Sequence, residues 1–140
     1  KIYESHINEA VMRSAAKHRI AVQNFCAIAS AEKSGGTSRY IFLVEFAGEP
    51  SLAQKKKFLE SIDKELRAQN SEYDDLREQQ LIVHPSLKVV RPGEFERYRR
   101  EKIAQGSHDT QFKMPKLALS ADFQDRFAVV EEILATGGNI

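Results

Sequence analysis

The sequence predicts an α+β domain in which helices pack on a small mixed β-sheet of about four strands. Three observations carry this. Stretches with helical spacing of apolar residues alternate with short runs of β-branched and aromatic residues, in the order helix, strand, strand, helix, strand, helix, strand, helix. The run 40–46 is apolar on both faces, with Tyr40, Phe42, Val44 and Phe46 on one and Ile41 and Leu43 on the other, as in a central strand covered on two sides. A length of 140 residues, with 41% hydrophobic and 29% charged residues, suits one soluble globular unit.

The elements follow in order. A first helix is expected over 5–17, with Ser5 as N-cap and Ile7, Ala10, Val11 and Ala15 on its buried face. Residues 20–30 read as a strand. Residues 32–38, rich in Gly and Ser, read as a hairpin tip, so that strands 20–30 and 40–46 pair antiparallel. Gly48-Glu49-Pro50-Ser51 then breaks the strand and offers a cap. The helix 51–69 that follows carries Leu52, Leu59, Ile62 and Leu66 on its buried stripe, with Phe58 beside it, and Lys55-Lys56-Lys57 mainly on its wet face. One or two further helical turns over 70–80 bring Tyr73 and Leu76 inward. A third strand spans 87–90, and Arg91-Pro92-Gly93 ends it. The helix 95–105 is stopped by Gly106, and its Arg97, Arg99, Arg100 and Lys102 can pair with Glu94, Glu96 and Glu101 at three- and four-residue spacing. A last strand is expected at 117–119. A final helix is expected over 123–134, capped by Ser120 and Asp122, with Phe127, Val130 and Leu134 inward, before a loose tail.

Several function classes are disfavoured at this level. A formal charge of +1 gives no strong field to draw nucleic acid or an anionic membrane surface. No apolar run approaches the length of a bilayer span, and no signal peptide is expected. Cys26 stands alone in an apolar run, which reads as a small buried hydrophobe and points to a reducing, cytoplasmic setting. His6, His18, His84 and His108 show no metal-ligand spacing, so no metal site is expected. The Gly35-Gly36 pair lacks the lysine of a phosphate loop. The chain opens at Lys1 without a Met, which suggests a piece of a longer protein with 1–140 as its single C-terminal unit.

One segment is suited to chemistry. In Gln111-Phe112-Lys113-Met114-Pro115-Lys116, Phe112 and Met114 flank Lys113. Successive side chains of an extended segment point to opposite sides, and Pro115 biases Met114 towards an extended backbone. Phe112 and Met114 are therefore expected to anchor inward while Lys113 projects. A lysine ammonium is a compact, strongly hydrated point charge, useful against phosphate. The plain alternative is a solvated surface lysine, and the residues alone leave open a stand-alone ligand- or RNA-binding module with exposed sheet aromatics such as Tyr40, Phe42 and Phe46.

Resemblance narrows the reading. The pattern Lys88-Val89-Val90-Arg91-Pro92-Gly93-Glu94-Phe95, a helix, Gly106, and then Gln111 to Lys116 resembles the C-terminal domain of the Gretchen Hagen family, the auxin-responsive acyl acid–amido synthetases and their bacterial relatives. Lys1-Ile2-Tyr3-Glu4, Tyr40 to Glu45, and Leu66 with Asn70-Ser71-Glu72-Tyr73 agree with it. The likeness covers about the first 120 residues and leaves 122–140 as an extension, a helix and a tail. It implies the lid of an adenylate-forming enzyme. In the full-length enzyme, a large N-terminal domain absent from this chain binds ATP with Mg2+, and a carboxylic acid is adenylated and passed to an amino acid. The fragment is expected to hold no cofactor and to be inactive alone. Lys113 is then the catalytic, phosphate-contacting residue. His108 and Gln111 share its loop as candidate nucleotide contacts, and Lys1 and Ile2 lie at the hinge. The family often has Arg where this chain has Lys116, a change that keeps the charge and loses a bidentate fork. The lid of another adenylating ligase, such as an acyl–CoA synthetase, is the alternative within this logic.

Overall fold

Alternation along the two longest strands divides the molecule into two cores. The computed structural model describes residues 1–31, 38–106 and 112–134. Strand β1 (Val22–Ala31) pairs antiparallel with β2 (Ser38–Phe46), with Phe25 opposite Val44 and Ile28 opposite Ile41. Phe25, Ala27, Phe42 and Val44 all point to one face, Cys26, Ile28, Ile41 and Leu43 to the other, and all eight are buried. The first face is covered by helices α1 (Glu4–His18) and α2 (Leu52–Gln69), through Ile7, Ala10, Val11, Phe58, Leu59, Ile62 and Leu66. The second face is covered by helix α4 (Glu94–Ala104) and by a short 3-10 helix (Ala121–Arg126). Between α2 and α4 in the sequence lie α3 (Ser71–Glu78) and strand β3 (Ser86–Val90), which joins β2 in parallel. Strands β4 (Leu117–Ala118) and β5 (Val129–Leu134) complete a five-stranded mixed sheet in the order β4-β1-β2-β3-β5. The α+β expectation holds, with one strand more than anticipated.

The 3-10 helix and that fifth strand replace the final helix expected over 123–134. Phe127, Val130 and Leu134 have helical spacing, but only Phe127 is buried; Val130 is 56% and Leu134 57% exposed. Two forces decide the outcome. Val129, Val130 and Ile133 are β-branched and lose side-chain freedom in a helix. The edge of β3 also offers unpaired backbone groups, and β5 satisfies them antiparallel, with Leu87 opposite Ile133. Glu131 then faces α2 and pairs with Lys55, whose side chain is only 13% exposed, so the first lysine of the 55–57 run is not on the wet face. Leu52, expected on the buried stripe, is half exposed in the first turn of α2. Helix α1 begins one residue earlier than expected. Tyr3 is its N-cap in place of Ser5, and the Tyr3 N–H donates to His6 Nδ1 at 3.0 Å. The Ser51 cap of α2 is as expected, its hydroxyl accepting from the Gln54 N–H at 3.1 Å. The charged residues of α4 pair locally as anticipated, Arg97 with Glu94 and Glu101, and Arg99 and Arg100 with Glu96.

The Arg91-Pro92-Gly93-Glu94-Phe95 segment is a structural joint. Gly93 sits at φ 91°, a conformation open to glycine at little cost. Its N–H donates to the buried Glu45 carboxylate at 2.9 Å. Glu94 accepts from the Ala128 N–H at 2.7 Å, and that bond steers the chain into β5. Phe95 enters the second core.

Candidate active-site segment

The segment that carries Lys113 is held by groups from α1, α4 and β1. Helix α4 ends at Ala104, and Gly106, two residues on, adopts φ 114°. His108 and Gln111 lie outside the described residues. From Phe112 onward the chain is extended. The Phe112 ring lies against Tyr98 of α4, with centroids 6.2 Å apart, and Met114 packs on the second core. Tyr98 in turn contacts Phe127 at 5.1 Å and Phe123 at 5.3 Å, so Phe112 ends a row of aromatic rings. Lys113 lies exposed between these anchors, with no hydrogen-bond or ion-pair partner among the described residues. The alternation read from the sequence is therefore the alternation observed.

Beyond Pro115 the chain is fastened to the body of the domain. The Lys116 N–H donates to Glu4 Oε2 at 3.0 Å, across 112 positions of sequence. The Lys116 carbonyl accepts from the Ala27 N–H at 2.8 Å, and β4 then runs parallel to β1. The Lys116 ammonium stands 4.3 Å from the centre of the Phe25 ring, within cation–π range. Lys116 is thus turned onto the protein and does not project beside Lys113. Sequence reasoning missed Glu4, Phe25 and Ala27 as supports, and no local pattern marks them.

The hinge candidates differ from each other. Ile2 is 7% exposed and part of the first core. Lys1 is exposed, and its carbonyl accepts from Asn70 Nδ2 at 2.8 Å. Asn70 also caps α3 by accepting from the Tyr73 N–H at 2.8 Å. The Lys1 carbonyl and the Ile2 side chain are therefore both held by the body of the domain.

Other polar groups have structural partners. Burial, with a smaller push from Glu4, raises the Cys26 thiol to about 12, which leaves it un-ionised and a poor nucleophile. Asp63 is buried beneath α3 and accepts from Tyr73 Oη at 2.7 Å and from Arg77 Nε and Nη2 at 2.9 and 2.7 Å. Arg77 Nη2 also donates to His84 Nδ1 at 3.0 Å. Burial and the Arg77 guanidinium push His84 below the usual imidazole range. A cavity of about 530 Å³ between α3 and the ends of β1 and β2 is lined by Leu76, Leu81, Ile82, Leu119, Tyr40 and Arg39, among others. The described residues that line it include no nucleophile–base pair. Among the described residues no group of three or more His, Cys, Asp and Glu side chains gathers as a metal site, and no helix is long and apolar enough to cross a membrane. Phe42 and Phe46 are buried and Tyr40 half-buried, so the sheet presents no open aromatic platform for RNA bases.

The model of the GH3 family C-terminal domain matches residues 5–122. The chain belongs to the GH3 family. This GH3 domain is similar in fold to the solved GH3.15 acyl acid amido synthetase, with a TM-score of 0.82 and 20% identity over 97% of this chain and 26% of the other. A second structure, AtGH3.15 acyl acid amido synthetase in complex with 2,4-DB, gives 0.81 and 20% over 97% and 25%. The GH3 chain here thus spans about a quarter of the length of the structures it matches. The 97% coverage includes most of the stretch after residue 122, so the shared fold extends past the family match. No curated protein matches the sequence.

Proposed function

We propose that this chain is the C-terminal lid of an ATP-dependent ligase that adenylates a carboxylic acid and transfers the acyl group to an amino acid. Lys113 is its catalytic residue. The observation that carries the reading is the exposed Lys113 ammonium between two anchored apolar residues, on a chain of GH3 family membership. A large N-terminal domain of the same chain would supply the nucleotide and acid pockets, with Mg2+ arriving on the ATP. The setting is cytoplasmic, which the lone buried Cys26 supports. His108 and Gln111 remain nucleotide-contact candidates on the same loop. Because Ile2 is packed in the core, the swing is assigned to Lys1 and the chain before it.

The chemistry follows from charge. As a carboxylate oxygen attacks the α-phosphorus, negative charge grows on the phosphate oxygens and on the departing pyrophosphate. A positioned ammonium in a closed site stabilises that charge more than it stabilises the ground state. Loss of one such donor costs about a hundredfold to a thousandfold in rate. The amine on Lys113 is useful only once the lid has closed, so the isolated domain has no activity.

The test uses the full-length protein. Lys113→Ala is expected to lower acid-dependent pyrophosphate exchange by about a hundredfold or more. Unchanged exchange removes Lys113 from the mechanism. A gene in which a start codon sits immediately before Lys1, with no nucleotide-binding domain upstream, overturns the lid reading. Transfer to coenzyme A in place of an amino acid would reassign the acceptor to the acyl–CoA class.

A further inference from the structure

We propose that Glu4 is a positioning residue that ties the Lys113 segment to helix α1, so that rotation at the chain entry reaches Lys113 without slack. The inference rests on the lid reading above and adds the part that transmits its motion. Three observations place Glu4 in this role. Its carboxylate accepts the Lys116 N–H at 3.0 Å, three residues beyond Lys113. It stands in the first turn of α1, two residues after the core-packed Ile2. The remaining contacts of Lys116 lead to β1: the Ala27 N–H at 2.8 Å and the Phe25 ring at 4.3 Å.

The logic is mechanical. The five residues from Phe112 to Lys116 have only a two-residue strand, β4, to fix them to the sheet. Such a ladder is too short to hold an orientation unaided. Phe112 and Met114 hold one side of the segment through apolar contact, which resists separation but permits sliding. The Glu4 bond is directional and charge-assisted. It joins the segment to a fifteen-residue helix buried along one face. Ile2, Glu4, Phe25 and Lys116 then form one continuous support from the entry of the chain to the lysine. A displacement of about 1 Å at a reacting group is enough to cost about a hundredfold in rate, which is why such a support matters.

The experiment has two arms. In the 140-residue chain, amide hydrogen exchange is read at Lys116 for the wild type, Glu4→Ala and Glu4→Gln. Glu4→Ala should speed exchange there about fivefold to tenfold, the population change of one net hydrogen bond. Glu4→Gln keeps an acceptor oxygen and should restore most of the protection. Glu4 is exposed, so both variants fold. In the full-length protein, Glu4→Ala should lower kcat of acid-dependent pyrophosphate exchange about threefold to tenfold and leave KM for ATP within about twofold, with rescue by Glu4→Gln. In a Lys113→Ala background the Glu4→Ala effect should vanish, because a support has nothing left to position. Unchanged Lys116 exchange in Glu4→Ala overturns the inference. So does a kcat loss that multiplies in full with that of Lys113→Ala, since that is general damage. Lys113→Ala without effect overturns the catalytic reading instead, and the amide-exchange arm still reports on the Glu4 bond.

Discussion

Replacing Asp63 with Asn removes one charge and almost no volume, and the structure sets its expected cost. Asp63 is 6% exposed and accepts three hydrogen bonds, one from Tyr73 and two from Arg77, whose side chain is also 6% exposed. Removing one partner of a buried pair leaves the other charge without compensation, at a cost of about 3–5 kcal/mol. With about 2.1 cal/mol/K of unfolding entropy per residue over this length, each kcal/mol moves Tm by about 3.4 °C. The expected fall is therefore about 10–17 °C, read by far-UV circular dichroism and cross-checked by urea unfolding at pH 7. Replacing both charges, as in Asp63→Leu with Arg77→Met, should cost less than Asp63→Asn alone, because no ion is left stranded.

The pH dependence adds an independent check. Burial alone would raise the Asp63 carboxyl, but the hydrogen bonds from Arg77 and Tyr73 outweigh it and hold the group below the usual carboxylate range. The unfolded chain then binds this proton more readily than the folded one. The stabilisation is present above about pH 4 and is lost as pH falls through the folded value. Asp63→Asn should show a shallower acid loss over that window. A cost under about 1 kcal/mol at pH 7, or the same acid slope in both proteins, refutes this account of the cluster.

Two further predictions test the second core. Phe127→Ala should cost about 3–5 kcal/mol in urea unfolding, since the ring is 6% exposed and lies 4.9 Å from Phe95, whereas Leu134→Ala should stay within about 0.5 kcal/mol. Comparable losses at both sites would restore a helix in place of β5. Cys26 should resist a thiol reagent at pH 8 until the chain unfolds. Its folded value lies above the unfolded one, so its stabilisation is whole below about pH 8.5 and declines as pH rises beyond it. Rapid labelling of the native protein would contradict its burial.

Much of the fold was legible because its signals are local. The apolar spacing of Ile7, Ala10, Val11 and Ala15 marks α1, and the cap at Ser51 marks α2. The two-sided apolar run 40–46 marks the central strand. Lys113 was legible for the same reason, since Phe112, Met114 and Pro115 fix its direction within three residues. Reading failed where the deciding partner is remote. Phe127, Val130 and Leu134 fit a helix by spacing, and only the open edge of β3, some forty positions earlier, makes them a strand. Lys55 looked solvated until β5 brought Glu131 to it. The Glu4 contact joins residue 4 to residue 116, and neither residue hints at the other.

The position of the lysine segment also explains why so small a strand as β4 suffices. β4 adds to β1, the strand whose two faces feed both cores, so the segment borrows the rigidity of the whole sheet. A lysine on a free tail would reach many places and would lose rotational and translational freedom each time it was ordered. One mounted beside β1, steadied by Tyr98 from one core, by Phe25 from the other and by the exposed Glu4 of α1, has met most of that cost during folding. Under the proposed lid role, motion would enter through the chain before Ile2, which is packed in the first core. On that reading the motion and the chemistry would be tuned by separate groups, the first by the chain before Ile2 and the second by the groups around residues 112–116.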